Sequence, residues 1–353
     1  MSAPALTLYG PADLVAAVPH LLGFVPTSSL VIVFIEDCGQ RVVLTVRADL
    51  PAAAPTHDYL QSWQRQLQAI AENNEASRVV LCAFTTDADS GPSAAQTSAA
   101  ASAMTAIALE CEQLGMFVYD QLLCFTDRWR SMLCSDRSCC PADGTPIDPA
   151  RGDRIAAEFV AEGVSVRSGR DALATACAPL PDSDPAAVLF RAALASQAAS
   201  SGADWATVVA PQERQQRAEQ CVQTLVGGGD ADASVALALA DIRVRDAVIR
   251  MLTHDEGADE RRRAEANLIA TMRVSPRDLR APIATVAAGL AWQRGDGAIG
   301  ADCLEVALDA DPDYSLARLL RRALCNAVPP NVWVTAVGQT TVDECVTGSN
   351  GRQ

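Results

Sequence analysis

The chain has 353 residues, 49% of them hydrophobic, so it is long enough for two or three domains and can bury full cores. Its formal net charge is −15, and Asp plus Glu outnumber Arg by 20 to 11 in residues 1–180 and by 23 to 17 beyond, so neither half carries the basic surplus of a nucleic-acid-binding domain. All 28 basic residues are arginine, which excludes Schiff-base chemistry, a pyridoxal phosphate linkage and a Walker-type phosphate lysine.

In chain order, PADLVAAVPHLLGF (11–24) reads as a short amphipathic helix closed by Gly23 and Pro26. The following Thr27, Ser28 and Ser29 form a donor cluster that could hold an anion, or a helix-to-strand turn that satisfies its own backbone; the turn is the favoured reading. SLVIVFIE and RVVLTVRADLP are β-branched strand runs, and Gly39 in the intervening DCGQ supports a hairpin loop. Leu60, Trp63, Leu67 and Ile70 recur at helical spacing across 57–74. RVVLCAFT (78–85) is a third strand, and a Ser/Ala-rich loop then turns into an alanine-rich helix reaching about Leu114. MFVYDQLLCF and RWRSMLC complete the strands, so the fold class is an α/β N-terminal domain with a mixed sheet flanked by helices.

From about residue 152 only helical patterns remain: 152–163, 170–178, 185–199, 211–226, 231–253, 259–272, 281–294, 298–309 and 314–326. The predicted organisation is an α/β domain over 1–178, a linker PLPDSDP at 179–185, a helical domain over 186–334 and a flexible tail over 335–353. Within 281–326 the Gly295-Asp296 turn, the Ala307-Leu308 pair and the Asp311-Pro312 step fall where a tetratricopeptide repeat would place them. Gly300 stands where such a repeat usually packs an alanine, no second copy is visible, and an ordinary helical hairpin explains the punctuation equally well. The one basic cluster, DERRRAEAN (259–267), has acidic flanks and reads as a solvated helix face.

No secretion signal is read at the N-terminus, which lacks a positive start and is interrupted by Pro11 and Pro19. The longest apolar run, Leu30 to Ile35, has the length of a buried strand. The expectation is a cytoplasmic protein whose 12 cysteines are mostly reduced thiols. Three scattered histidines, His20, His57 and His254, leave little material for a histidine-rich metal site or a Ser-His-Asp triad.

The densest chemistry lies in DRWRSMLCSDRSCCPADG (127–144). A two-residue turn at Asp127-Arg128 would pair Thr126 with Trp129 and Cys124 with Ser131. Trp129, Ser131 and Leu133 would then share one face, and Arg130, Met132 and Cys134 the other, which separates Cys124 from Cys134, Cys139 and Cys140. Four readings of those three thiols stay open. A zinc site is disfavoured because the spacing is C-x4-C-C, adjacent cysteines rarely point at one ion, and no fourth ligand is near in sequence. A nucleophile beside Arg130 or Arg137 lacks a local histidine base. A labile disulfide from Cys134 to Cys139 or Cys140 is a third reading. The favoured reading is a rigid, metal-free loop with small thiols beneath Trp129, an extended Cys140-Pro141 step and a turn at Asp143-Gly144.

Three ordered motifs, PADLVAAVPHLLGFVPTSSLVIV, RWRSMLC…CCPADGTPI and AWQRGDGAIGADCLEVALDADPDYSLARLLRRAL, resemble an uncharacterised actinobacterial family, domain of unknown function 4192, over nearly the whole chain. The matching positions are Leu22, Gly23, Phe24, Pro26, Ser29 and Leu30, and Trp129, Ser131, Cys134, Cys139, Cys140, Pro141 and Gly144. The resemblance implies a cytosolic bacterial protein and assigns no role to any of these residues. The functional expectation is a protein-interaction or scaffold/regulatory module that engages another protein through its helical domain. The alternative is a small-ligand sensor or enzyme using 127–144, with Trp129, Arg130, Ser131, Cys134, Cys139, Cys140 and Gly144 as the candidate residues. No cofactor, nucleic acid or membrane partner is expected.

Overall fold

The computed structural model describes residues 7–36, 41–85, 93–125, 127–201 and 210–348. Helix α1 (Pro11–Leu22) ends where Gly23 takes a left-handed φ of 78°, and Pro26 blocks its continuation. Strand β1 (Ser29–Glu36) pairs antiparallel with β2 (Val42–Asp49), as the two β-branched runs require; the turn expected around Gly39 lies outside the described residues. Helix α2 (His57–Asn73) leads to β3 (Ala76–Thr85), which pairs antiparallel with β1. Helix α3 (Ala94–Gln113) then crosses over to β4 (Phe117–Phe125), parallel to β3. Strands β5 (Arg128–Ser131) and β6 (Thr145–Pro146) complete a mixed six-stranded sheet in the order β2-β1-β3-β4-β5-β6.

Burial follows sheet position. Leu30 through Phe34 in β1 are wholly buried, and their uninterrupted apolar run is that of a strand covered on both faces, whereas the edge strand β2 is half-buried from Val42 to Ala48 and exposed at Asp49. Helix α4 (Pro149–Ala161) is fastened to α1 through Asp13, which is 1% exposed and lies 3.3 Å from Arg151 Nε and 3.2 Å from Arg154 Nη2. His20 of α1 stacks on Phe159 of α4 at 4.8 Å.

The chain divides into two units, Met1–Leu173 and Ala174–Gln353, with the division inside α5 (Arg170–Cys177). The second unit is helical: α6 (Pro185–Ser201), α7 (Pro211–Gly227), α8 (Ala233–Ala240), α9 (Ile242–His254), α10 (Ala258–Val274), α11 (Arg277–Gln293), α12 (Gly297–Ala310), α13 (Ser315–Cys325), α14 (Pro330–Gly338) and α15 (Val342–Thr347). The stretch 179–185 is tied into it, since Leu180 N donates to Arg273 O and Arg273 Nε to Ala178 O.

Three features differ from the expectation. The pattern over 231–253 is two helices, because Asp241 is extended and its carboxylate caps α9 by accepting from Arg243 N. Helix α11 begins at Arg277 and carries Pro282 inside it, so the proline does not mark its start. Of the expected flexible tail, residues 335–348 hold the end of α14 and all of α15, and 349–353 lie outside the described residues. Its polar composition suggests fraying, but a Thr341–Glu344 capping box, the Arg250 Nε bond to Thr340 O and the 1% exposure of Val346 hold it in place. The α11–α12 hairpin turns at Gly295, φ 93°, and Asp296 caps α12 by accepting from Ile299 N. In the basic cluster of α10, Arg262 is paired with Asp259 and Arg263 with Glu260, while Arg261 donates to Glu256 O.

Candidate functional site

The candidate loop hangs from the β4–β5 hairpin. Cys124 pairs with Trp129, Leu122 with Ser131 and Phe125 with Arg128; the expected pairing of Cys124 with Ser131 is thus displaced by two residues, and Thr126 lies outside the described residues. A two-residue displacement preserves the alternation, so Cys124 still shares its face with Trp129 and Ser131. Cys124 is buried, burial pushes its thiol well above the ordinary range, and Cys82 lies within hydrogen-bond reach.

Strand β5 stops at Ser131 and does not run on to Cys134. The Ser131 hydroxyl explains this: it donates to Asp120 Oδ1 at 2.6 Å and accepts from both Leu133 N and Cys134 N at 3.2 Å. Those two N–H groups are thereby withdrawn from the ladder, and the chain leaves the sheet. Asp136 makes the next turn. Its Oδ1 accepts from Ser138 Oγ at 2.7 Å and Ser138 N at 2.8 Å, bonds that hold its carboxyl below the ordinary range. Its carbonyl accepts from Cys139 N at 3.2 Å and from Cys140 N at 2.8 Å. Cys139 and Cys140 therefore sit on a helical turn, where adjacent side chains diverge by roughly 100° and not by the 180° of a strand.

The consequence is that the sulfurs of Cys134, Cys139 and Cys140 all lie within 4.8 Å of one another. The expectation that the two adjacent thiols point apart is not met, for this reason of backbone geometry. All three are free thiols; Cys139 is exposed, not packed beneath Trp129, and Cys134 and Cys140 are half-buried. Among the described residues this is the one group of three or more His, Cys, Asp or Glu side chains whose ligand atoms converge so closely.

The return limb is gripped by two arginines. Arg128 Nη1 donates to Asp143 O, Asp143 Oδ2 and Gly144 O, and Arg130 Nη1 donates to Ala142 O at 2.9 Å. Gly144 has φ 82°, and a Cβ there would stand 2.5 Å from the Phe125 ring. Trp129 Nε1 and Arg130 Nε are buried without a hydrogen-bond partner among the described residues.

The Thr27–Ser29 turn is arranged differently. Ser29 is fully buried; its hydroxyl donates to Thr27 O and accepts from Arg47 Nε, both at 2.8 Å, so its donor is used within the turn. Ser28 has φ 43° and accepts from Leu50 N through its carbonyl. Of the histidines, His254 Nε2 lies 2.9 Å from Val334 O, His20 is stacked on Phe159, and His57 opens α2, so none belongs to the loop.

Asp120 and Asp136, which shape the loop, were missed by sequence reasoning. The D-x-S spacing of Asp136 and Ser138 is a turn signal that could have been used; nothing in the sequence links Asp120 to Ser131. No helix of the described residues is long and apolar enough to cross a membrane. Comparisons with curated proteins and with solved structures return no match. A family model described as domain of unknown function (DUF4192) matches residues 11–331, which includes all three motifs in full. The chain therefore belongs to the family of domain of unknown function 4192.

Proposed function

We propose that the protein is a cytosolic regulatory module whose α/β unit senses a soft, thiol-seeking small ligand at loop 127–144. The observation that carries this reading is the convergence of Cys134, Cys139 and Cys140 on a loop already shaped by Ser131, Asp136, Arg128 and Arg130. A reducing compartment keeps such thiols available. A catalytic version would need a base, and the three histidines lie elsewhere in the sequence.

The helical unit fits a protein-docking role, with the α11–α12 hairpin as a tetratricopeptide-like element. Its support is the Gly295-Asp296 turn and the Asp311-Pro312 step of that hairpin; Leu189 and Leu319, exposed singly on α6 and α13, do not by themselves mark an interface.

The test of the sensor reading is limited alkylation of the reduced full-length chain, with the modified cysteines identified by peptide mass mapping. Cys134, Cys139 and Cys140 are expected to label first, well ahead of the exposed Cys325. Labelling led by a cysteine outside the loop, or spread evenly over all of them, overturns the reading.

A further inference from the structure

The same three sulfurs carry a more specific assignment, which rests on the loop being the ligand site. We propose that Cys134, Cys139 and Cys140 together bind zinc, or another thiophilic divalent cation of the same preference, as three thiolates. The fourth tetrahedral position is left to an exogenous ligand such as water.

Distance is the first argument. Zinc–thiolate bonds of about 2.3 Å in a tetrahedron put sulfurs about 3.8 Å apart. The three sulfurs already lie within 4.8 Å of one another, so no pair has to close by more than about 1 Å. A disulfide would instead need a separation of about 2.05 Å and would use only two of the three sulfurs.

Preorganisation is the second. The Ser131 hydroxyl fixes the backbone at Cys134, and the Asp136 carbonyl fixes it at Cys139 and Cys140, so the chain has little further ordering to undergo when the cation arrives. Each thiol gives up one proton to the solvent as its S–metal bond forms, so one Zn²⁺ replaces three protons and the centre carries a single negative charge. Arg128 and Arg130, both anchored on residues 142–144, supply positive charge on the same loop.

Ligand number is the third. Among the described residues no fourth His, Cys, Asp or Glu joins the group. Three protein ligands with an open position present the metal to an exogenous ligand, whereas structural zinc sites are closed by four. The metal-free chain is accordingly expected to stay folded.

The experiment is titration of the reduced, metal-free, full-length chain with cobalt(II). One cobalt per chain is expected, with thiolate-to-cobalt charge-transfer absorption, tetrahedral d–d bands and displacement by zinc. Three protons should be released per metal in weakly buffered solution. Cys134→Ser, Cys139→Ser and Cys140→Ser should each weaken binding by more than about 100-fold, beyond the loss seen for outer-shell partners. Cys325→Ser should leave binding unchanged. Circular dichroism verifies that each variant folds, and Cys139, being exposed, is the decisive position. Absence of the charge-transfer band at saturating cobalt overturns the proposal, as do bands that survive the loop substitutions. If the loop cysteines alkylate first yet no cobalt bands form, the metal assignment falls while the sensor reading stands. If neither is seen, both fall.

Discussion

Replacing Gly144 by alanine probes how rigidly the loop is built, and Gly115 supplies the matched control. Both glycines are left-handed, with φ 82° and 81°, so an L-residue at either costs about 1–2 kcal/mol in backbone strain. The space around them differs. A Cβ at Gly115 meets nothing within 4 Å, whereas at Gly144 it stands 2.5 Å from Phe125 Cζ and 3.3 Å from Arg128 Cβ. Phe125 is 8% exposed and its ring must shift to admit the methyl group, and overpacking of this kind adds about 1–3 kcal/mol. Gly144→Ala should therefore cost about 2–5 kcal/mol and Gly115→Ala about 1–2 kcal/mol. In thermal melts the first should lower Tm by roughly 5–15 °C and the second by a few degrees. Phe125→Leu, which shortens the opposing ring, should recover part of the Gly144→Ala loss in a double-mutant cycle. Equal losses at the two glycines, or no coupling to Phe125, would refute the claim that the ring fixes the loop's return limb.

Gly300→Ala should be stabilising. A Cβ there meets Ala288 O at 3.4 Å, Leu324 Cδ2 at 3.7 Å and Trp292 N at 3.8 Å, all ordinary contacts, and the change removes about 0.5–1 kcal/mol of glycine backbone entropy within α12. A Tm rise of about 1–4 °C is expected, and a fall would mean that α11 and α12 approach too closely for a methyl group. Asp241 gives the pH dependence of the helical unit. Burial pushes its carboxyl up, but Arg214 at 2.8 Å and the N–H groups of Arg243 and Val244 outweigh it and hold the carboxyl below its ordinary value of 3.8. The stabilisation is present above that value and is lost as pH falls through the folded one. Asp241→Asn, which keeps the helix cap, should cost about 1–2 kcal/mol at pH 7. In urea titrations the gap from wild type should close as pH falls through the folded value, which lies below 3.8, and a gap that persists once the carboxyl is protonated would discount the ion pair.

Much of the architecture was legible because local physics sets it. The apolar β-branched runs 30–34 and 78–85 are strands wherever they are buried, Gly23 and Pro26 end α1 by backbone geometry alone, and the Gly295-Asp296 pair makes the α11–α12 turn. Cys124 does stand apart from the loop thiols, but because it is buried within β4 while the chain leaves the sheet at Ser131, before alternation could place Cys134. What depended on tertiary structure were points where a side chain competes with the backbone for hydrogen bonds. Ser131 and Asp241 each divert N–H groups that periodicity assigns to a longer strand or helix, and sequence patterns carry no record of which competitor wins. The three thiols illustrate the limit most clearly. Spacing alone sets Cys139 and Cys140 apart, and the Asp136 carbonyl, by drawing both their N–H groups into one turn, brings their sulfurs together with that of Cys134.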